Sequence, residues 1–261
     1  MTGSNTGVGK ELARILYSKH AKVYIAARSE EKALNAIEVI KAATPKAAGE
    51  LVFLRLDLAD LTTIKASVQE FLSKETKLHV LFNNAGVMAQ RSGLPKTAQG
   101  YELQLGTNNI GTFMFTKLLT PILISTAKTE PPNTVRVVWV SSSAAESGSP
   151  RPGGVPMDNL DYHKSQPFII RYGISKAGNY LHAVEYAKRY KADGIVSVAL
   201  NPGNLSSDLY REQGAIIGFL LRHTILHPPV FGAYTEMYAG LSPEVTLERS
   251  GEWSKLSFLS H

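Results

Sequence analysis

Five short apolar runs alternate with helical patterns along this chain, and that alternation restricts the fold more than any other feature. The runs are Lys22 to Ala27 (KVYIAA), Leu51 to Leu56 (LVFLRL), Leu78 to Phe82 (LHVLF), Val135 to Val140 (VRVVWV) and Ile195 to Leu200 (IVSVAL). They are nearly continuous in apolar residues, as strands covered on both faces are. Before the first run, Val8, Leu12, Ile15 and Leu16 recur at helical spacing over Val8 to Lys19. Ser29 is placed to cap a second helix, with Glu30 and Glu31 in its first turn and a stop near Thr44-Pro45. Further helices are predicted over Leu61 to Ser73, over about Gly100 to Leu119 with an end at Pro121, and over Arg171 to Tyr190. Ser147 to Pro167, rich in Gly and Pro, reads as a loop. The pattern predicts an α/β fold: a doubly wound parallel sheet with helices on both faces and ligands at the carboxyl ends of the strands. A length of 261 residues fits one domain spanning 1–261.

Composition removes several function classes. The chain has no Cys, which excludes disulfides, thiolate metal sites and Cys nucleophiles. The net charge of +6 comes from scattered Lys and Arg, without the clustering or aromatic interleaving of a nucleic-acid surface, so no nucleic-acid partner is expected. His163, His223 and His227 do not follow a metal-ligand spacing, so no metal is expected. No stretch reads as long and apolar enough to span a bilayer, the nearest being Ala215 to Leu221, and no secretory signal opens the chain. A cytoplasmic protein without an integral membrane segment is expected.

The residues with chemistry lie just after the runs. Thr2-Gly3-Ser4-Asn5-Thr6-Gly7-Val8-Gly9 opens directly into the first helix. Glycines permit a tight turn and a close backbone approach to a pyrophosphate, and the helix N-terminus adds a favourable field, although a plain glycine-rich loop has the same composition. The run KVYIAA ends in Ala27-Arg28, where an NAD site usually has an acidic residue for the ribose hydroxyls. Arg28 can pair with a 2′-phosphate and so favours NADP, or it is an arginine snorkelling at a strand end. Asp57, before Leu58, can accept from an adenine amino group or cap the next helix. Asn83-Asn84-Ala85-Gly86 suits both a close approach to a cofactor and a structural turn. Ser141-Ser142-Ser143 follows VRVVWV, and Tyr172 and Lys176 stand four apart on one helical face. The Tyr-x-x-x-Lys spacing is common by chance and takes its weight from its position after the serines.

The ordered set TGSNTGVG, NNAG, TNNIG, VSSS, YGISK and NPGN resembles the classical short-chain dehydrogenase/reductase family over about residues 2 to 240. It looks closest to the retinol-dehydrogenase-like group and its fungal relatives, a setting associated with secondary metabolism. The resemblance implies a Rossmann-like fold and an NADP-dependent oxidoreductase interconverting an alcohol with its ketone or aldehyde. It implies that Tyr172 is the general acid or base, that Lys176 holds the nicotinamide ribose and favours the phenolate, and that Ser142 hydrogen-bonds the substrate oxygen in preference to Ser141. Asn108 matches the residue that organises a proton-relay water, with Asn109 as its rival. Gly3, Ser4, Asn5, Thr6, Gly7, Val8, Gly9, Arg28, Asp57, Leu58, Asn84, Ala85, Gly86, Pro202 and Gly203 would line the cofactor, together with Tyr172 and Lys176. Ser207 stands where the family often has the Thr that binds the carboxamide. Homo-oligomers are common in the family, and a homo-oligomer is one expectation here.

Three departures follow from the same resemblance. Only Met1 precedes the Thr2-Gly3 turn, so the central strand that the family places there is expected to be missing, and both ends read as clipped, with Gly251-Glu252-Trp253 starting the last strand. A truncated, inactive cofactor-binding remnant is therefore the alternative to an active enzyme. The segment between Ser142 and Tyr172, including Pro150 to Gly154, is longer than in many members and is expected to border the substrate site. Leu205 to His227 resembles the variable lid, where Ile216, Ile217, Phe219, Leu220 and Leu221 would form an apolar wall for a small hydrophobic alcohol or carbonyl substrate, or simply pack the lid.

Overall fold

The computed structural model describes residues 1–89, 93–206 and 226–254. Its elements follow the predicted alternation: α1 (Gly7–Ser18), β1 (Lys22–Ala27), α2 (Glu30–Ala43), β2 (Glu50–Arg55), α3 (Leu61–Lys74), β3 (Val80–Asn83), α4 (Leu103–Leu105), α5 (Thr112–Ala127), β4 (Arg136–Val140), α6 (Ala144–Ser147), α7 (Phe168–Tyr190), β5 (Val196–Leu200), α8 (Pro229–Leu241) and β6 (Trp253–Ser254). All strand pairs are parallel, β1 with β2 and then β3-β4-β5-β6 in order. Side chains alternate between the two faces of each strand. Val137 and Trp139 face the layer of α3, α5 and α7, where Leu119, Leu123 and Ala183 pack. Val138 and Val140 face the other layer with Leu12 of α1 and Ala233 and Ala239 of α8. This double burial is the reason the strands read as continuous apolar runs.

No regular strand precedes α1 among the described residues, and Met1–Gly3 lie between β1 and β3. The Ala26 amide donates to the Met1 carbonyl (3.0 Å), the Gly3 amide to the Ala26 carbonyl (2.8 Å) and the Thr2 amide to the Phe82 carbonyl (3.0 Å). The Met1 ammonium donates to the Tyr24 carbonyl at 3.0 Å. Three residues thus tie the two sets of strands together at the end where the glycine turn leaves the sheet.

The predicted helix from Gly100 to Leu119 is corrected. α4 passes into a π-helical turn at Gly106–Gly111, which continues into α5. A Cβ on Gly111 would collide with the Leu58 carbonyl oxygen, so glycine lets the widened turn press against the chain after β2. Pro121 lies inside α5 and does not end it. It occupies the exposed face, where the carbonyl deprived of its amide partner can turn to water. The continuous helical run Leu103–Ala127 is long and apolar enough, by length and composition, to cross a membrane, which corrects the reading that no segment is. Half of its most apolar window is buried inside the fold, as for a core helix.

Candidate active site

A cleft of about 810 Å³ opens at the carboxyl ends of the strands. One wall is the glycine turn, with Gly3, Asn5, Thr6, Gly7 and Val8 on its surface, so the start of α1 faces the cleft. Ser4 and Gly9 do not reach that surface. Ser4 is fully buried and donates to the Met1 carbonyl (3.0 Å), while Gly9 packs beneath the turn. Asn84 holds the turn from below, its Nδ2 donating to the Thr2 (2.9 Å) and Gly3 (3.3 Å) carbonyls. The Thr2 hydroxyl accepts from the Ala85 amide at 2.9 Å. The two motifs are therefore one unit.

At the β1 end, exposed Arg28 lines the cleft beside Ser29, Lys32 and Asn35, and Lys10 of α1 joins the same rim. Ser29 caps α2 by accepting from the Lys32 amide at 3.3 Å. This fixes Lys32 one turn from Arg28. Lys10 and Lys32 were not singled out from the sequence, because a lone lysine in a helix's first turn has the signature of a solvated face. Asp57 and Leu58 form the adjoining wall. Asp57 accepts from the Ala59 amide (2.9 Å), while the cap of α3 is Asp60, which accepts from the Thr62 amide (3.1 Å). Asp57 is thus a turn residue and not the helix cap.

Across the cleft stand Ser142, Tyr172 and Lys176. Lys176 is almost fully buried, and its Nζ donates to the Val140 carbonyl (2.9 Å) and lies 5.7 Å from the centre of the Tyr172 ring. Burial pulls its ammonium down from 10.5 to about 8, against the opposing field of the Glu236 carboxylate. The Asn179 Nδ2 shares the Val140 carbonyl at 3.0 Å. The two serines are separated by their bonding. The Ser141 hydroxyl is buried and donates to the Lys176 carbonyl (2.7 Å), whereas the Ser142 Oγ accepts from the Ala144 amide (3.2 Å).

Asn108 and Asn109 lie on the π-helical turn and not on the cleft surface. Asn108 clips Val87, accepting from its amide (2.8 Å) and donating to its carbonyl (3.0 Å), and also donates to the Ser175 Oγ (2.9 Å). Asn109 donates to the Ser175 carbonyl and to the Asn179 Oδ1, both at 2.8 Å. One asparagine therefore fixes the loop after β3, and its neighbour fixes α7. Pro202 and Gly203 line the cleft beyond β5. Ser207, the apolar residues of the predicted lid and His223 lie outside the described residues. The ends of that segment are held together: the Ser206 amide donates to the His227 carbonyl and the His227 amide to the Asn204 carbonyl, both at 2.8 Å. Among the described residues, no group of three His, Cys, Asp or Glu side chains converges as a metal site.

A parallel doubly wound sheet and a glycine turn running into a helix N-terminus, with a Tyr–Lys pair and a serine lining the same cleft, form the architecture of a dinucleotide-binding site. A sequence model described as short chain dehydrogenase matches residues 1–153. A short-chain dehydrogenase/reductase of Phomopsis amygdali is 58% identical over 97% of this chain and 76% of its own length. The short-chain dehydrogenase/reductase sthC of Phaeosphaeria nodorum is 53% identical over 98% of this chain and 82% of its own length. Among solved structures, the Pseudomonas aeruginosa RhlG/NADP active-site complex superposes with a TM-score of 0.74 at 21% identity, over 97% of this chain and 91% of that one. The 3-ketoacyl-(acyl-carrier-protein) reductase of Brucella melitensis complexed with NADH gives 0.71 at 21%, over 97% and 93%. The chain belongs to the short-chain dehydrogenase/reductase family, whose members are oxidoreductases.

Proposed function

We propose that this protein is an NADP(H)-dependent oxidoreductase that interconverts a small hydrophobic alcohol and its ketone or aldehyde, with Tyr172 as the general acid and base. The observation that carries this reading is the grouping of Tyr172, Lys176 and Ser142 on one wall of a cleft whose other wall is a glycine turn. The site fits a dinucleotide: the N-terminal turn of α1 offers backbone N–H groups to a pyrophosphate, and Arg28 with Lys32 offers positive charge at the β1 end, where the residue after Ala27 is Arg28 and not a carboxylate. Bound there, the nicotinamide supplies or takes up the hydride.

The protein's own residues handle orientation and the proton. A phenol titrates near about 10 in water, too high to ionise readily at neutral pH. The Lys176 ammonium beside the ring favours phenolate, which moves Tyr172 toward the useful range. In the reductive direction Tyr172 gives its proton to the developing alkoxide while Ser142 stabilises the oxygen; in the oxidative direction Tyr172 takes the proton from the alcohol and Ser142 still holds the oxygen. Ser142 is preferred to Ser141 because the latter's hydroxyl proton is committed to the Lys176 carbonyl. Asn108, by fixing Val87 and Ser175, keeps the loop after β3 and the Tyr172 turn in register.

The test is to titrate the purified protein with NADPH and NADH and then follow NADPH consumption over a panel of hydrophobic aldehydes and ketones. Tyr172→Phe should lower kcat by at least about 100-fold with cofactor affinity intact. Absence of NADPH binding, or a Tyr172→Phe variant as active as the parent, refutes the reading.

A further inference from the structure

A buried polar cluster stands directly behind the wall of the cleft that carries Tyr172. Glu102, fully buried, precedes α4 and accepts from the Leu105 amide at 2.8 Å. The Arg171 Nε lies 3.5 Å from the Glu102 Oε1, and their side chains are 8% and 0% exposed. The Arg171 Nη1 donates to the Gln166 carbonyl at 2.7 Å. Gln104 joins the two segments, its Nε2 donating to the Glu102 Oε1 (3.4 Å) and the Phe168 carbonyl (3.3 Å). Phe168 is the first residue of α7. The buried Tyr162 phenol lies within the field of both charges, the Glu102 carboxylate adding to burial in raising its proton affinity and Arg171 opposing.

Sequence neighbours turn opposite ways here. Glu102 and Gln104 point into the cluster while Leu103 between them lines the cleft, and Arg171 points into it while Tyr172 lines the cleft. The pair therefore joins the two chain segments that flank the substrate end of the cleft. We propose that Glu102 and Arg171 are positioning residues, a buried brace that sets Tyr172 against the Leu103 wall and anchors the Gly- and Pro-rich segment ahead of α7. The inference rests on Tyr172 being the proton donor. A displacement of about 1 Å at a reacting group can cost about 100-fold in rate. Removing one member of a buried ion pair leaves the other charge uncompensated, whereas removing both is often nearly neutral for stability.

The experiment compares Glu102→Gln, Arg171→Met and the double variant. Each single variant should lower kcat by about 10- to 100-fold and lower the melting temperature, with NADPH Kd within about twofold of the parent. The double variant should regain melting temperature while kcat stays low, which a purely structural role does not produce. Amide hydrogen exchange over residues 168–172 should quicken about tenfold in Arg171→Met, without matching change in β4. Recovery of kcat together with stability in the double variant, loss of NADPH affinity in step with kcat, or unchanged exchange at 168–172 overturns the proposal. If the parent itself turns over no carbonyl compound, the proposed function fails instead, and the exchange measurement decides the brace alone.

Discussion

Replacing Gly9 by Ala tests whether the glycine turn and the Asn84 loop form one packed unit. A Cβ at Gly9 would stand 2.6 Å from the Asn84 Nδ2, 2.8 Å from the Gly3 carbonyl oxygen and 2.8 Å from the Ser4 Cα. Comfortable heavy-atom contact begins near about 3.5 Å, so each neighbour must retreat by roughly 0.7–0.9 Å. Two of the three are backbone atoms, and the third holds the Thr2 and Gly3 carbonyls. Overpacking costs about 1–3 kcal/mol, and a weakened hydrogen bond adds about 0.5–1.5 kcal/mol. Against this, alanine favours a helix over glycine by about 1 kcal/mol. The clash wins, leaving a net loss of about 0.5–3.5 kcal/mol. For a chain this long, that lowers the melting temperature by about 1–14 °C. The assay is a thermal melt followed by circular dichroism, paired with an NADPH titration by fluorescence, in which affinity should weaken because the turn that faces the pyrophosphate has moved. A Gly9→Ala variant that melts within about 1 °C of the parent and binds NADPH equally well would refute the reasoning.

Arg28→Ala should raise the Kd for NADPH by about 10- to 100-fold, the worth of a charge-assisted contact, and leave NADH nearly unaffected; an equal loss for both cofactors in parallel titrations would show that Arg28 does not read the 2′-phosphate. Ser142→Ala should lower kcat by about 100-fold without weakening NADPH, and Ser141→Ala should instead lower stability, a split read from steady-state kinetics and melts of both variants. Fully buried Glu236 has no hydrogen-bond partner among the described residues, and burial pushes its carboxyl up from 4.5 to about 8 against the fields of Lys176 and the Met1 ammonium. The folded protein therefore holds a proton between about pH 4.5 and 8 that the unfolded chain releases, so Glu236 makes stability fall as pH rises through that window. The Met1 ammonium, lowered by burial from 8.0 to about 5 against the field of Glu236, works in the opposite sense. Glu236→Gln should thus gain in melting temperature over the parent between pH 5 and pH 8, and a constant difference across that range would count against a protonated buried Glu236.

The strands were legible because double burial writes itself as continuous apolar sequence, and β1 spans the same residues in sequence and structure. The cap at Ser29 was legible because capping is local chemistry. The π-helical turn was not. It depends on Gly111 meeting the carbonyl of Leu58, a contact between segments far apart in sequence that helical periodicity does not encode. Pro121 misled for a related reason: its cost depends on which face it occupies, and that is a property of packing. The order of motifs pointed to residues most of which line one cleft, yet the sequence gives no sign that Asn108 clips Val87, or that Ser4 turns inward. Glu102, Arg171 and Glu236 stayed invisible because a charged residue in isolation reads as solvated. Only the assembled fold shows which charges are kept from water.

The paired backbone hydrogen bonds that join Asn204 and Ser206 to His227 carry an evolutionary consequence. Two chain ends fastened side by side at the cleft mouth form a socket, and doubling the length of whatever connects them adds only about 0.6 kcal/mol of closure entropy. Insertions, deletions and wholesale replacement between those ends can therefore be sampled without disturbing β5, the glycine turn or the tyrosine helix. What lies on one side of the fastening can drift while the cleft with Tyr172, Lys176 and the glycine turn is inherited unchanged on the other.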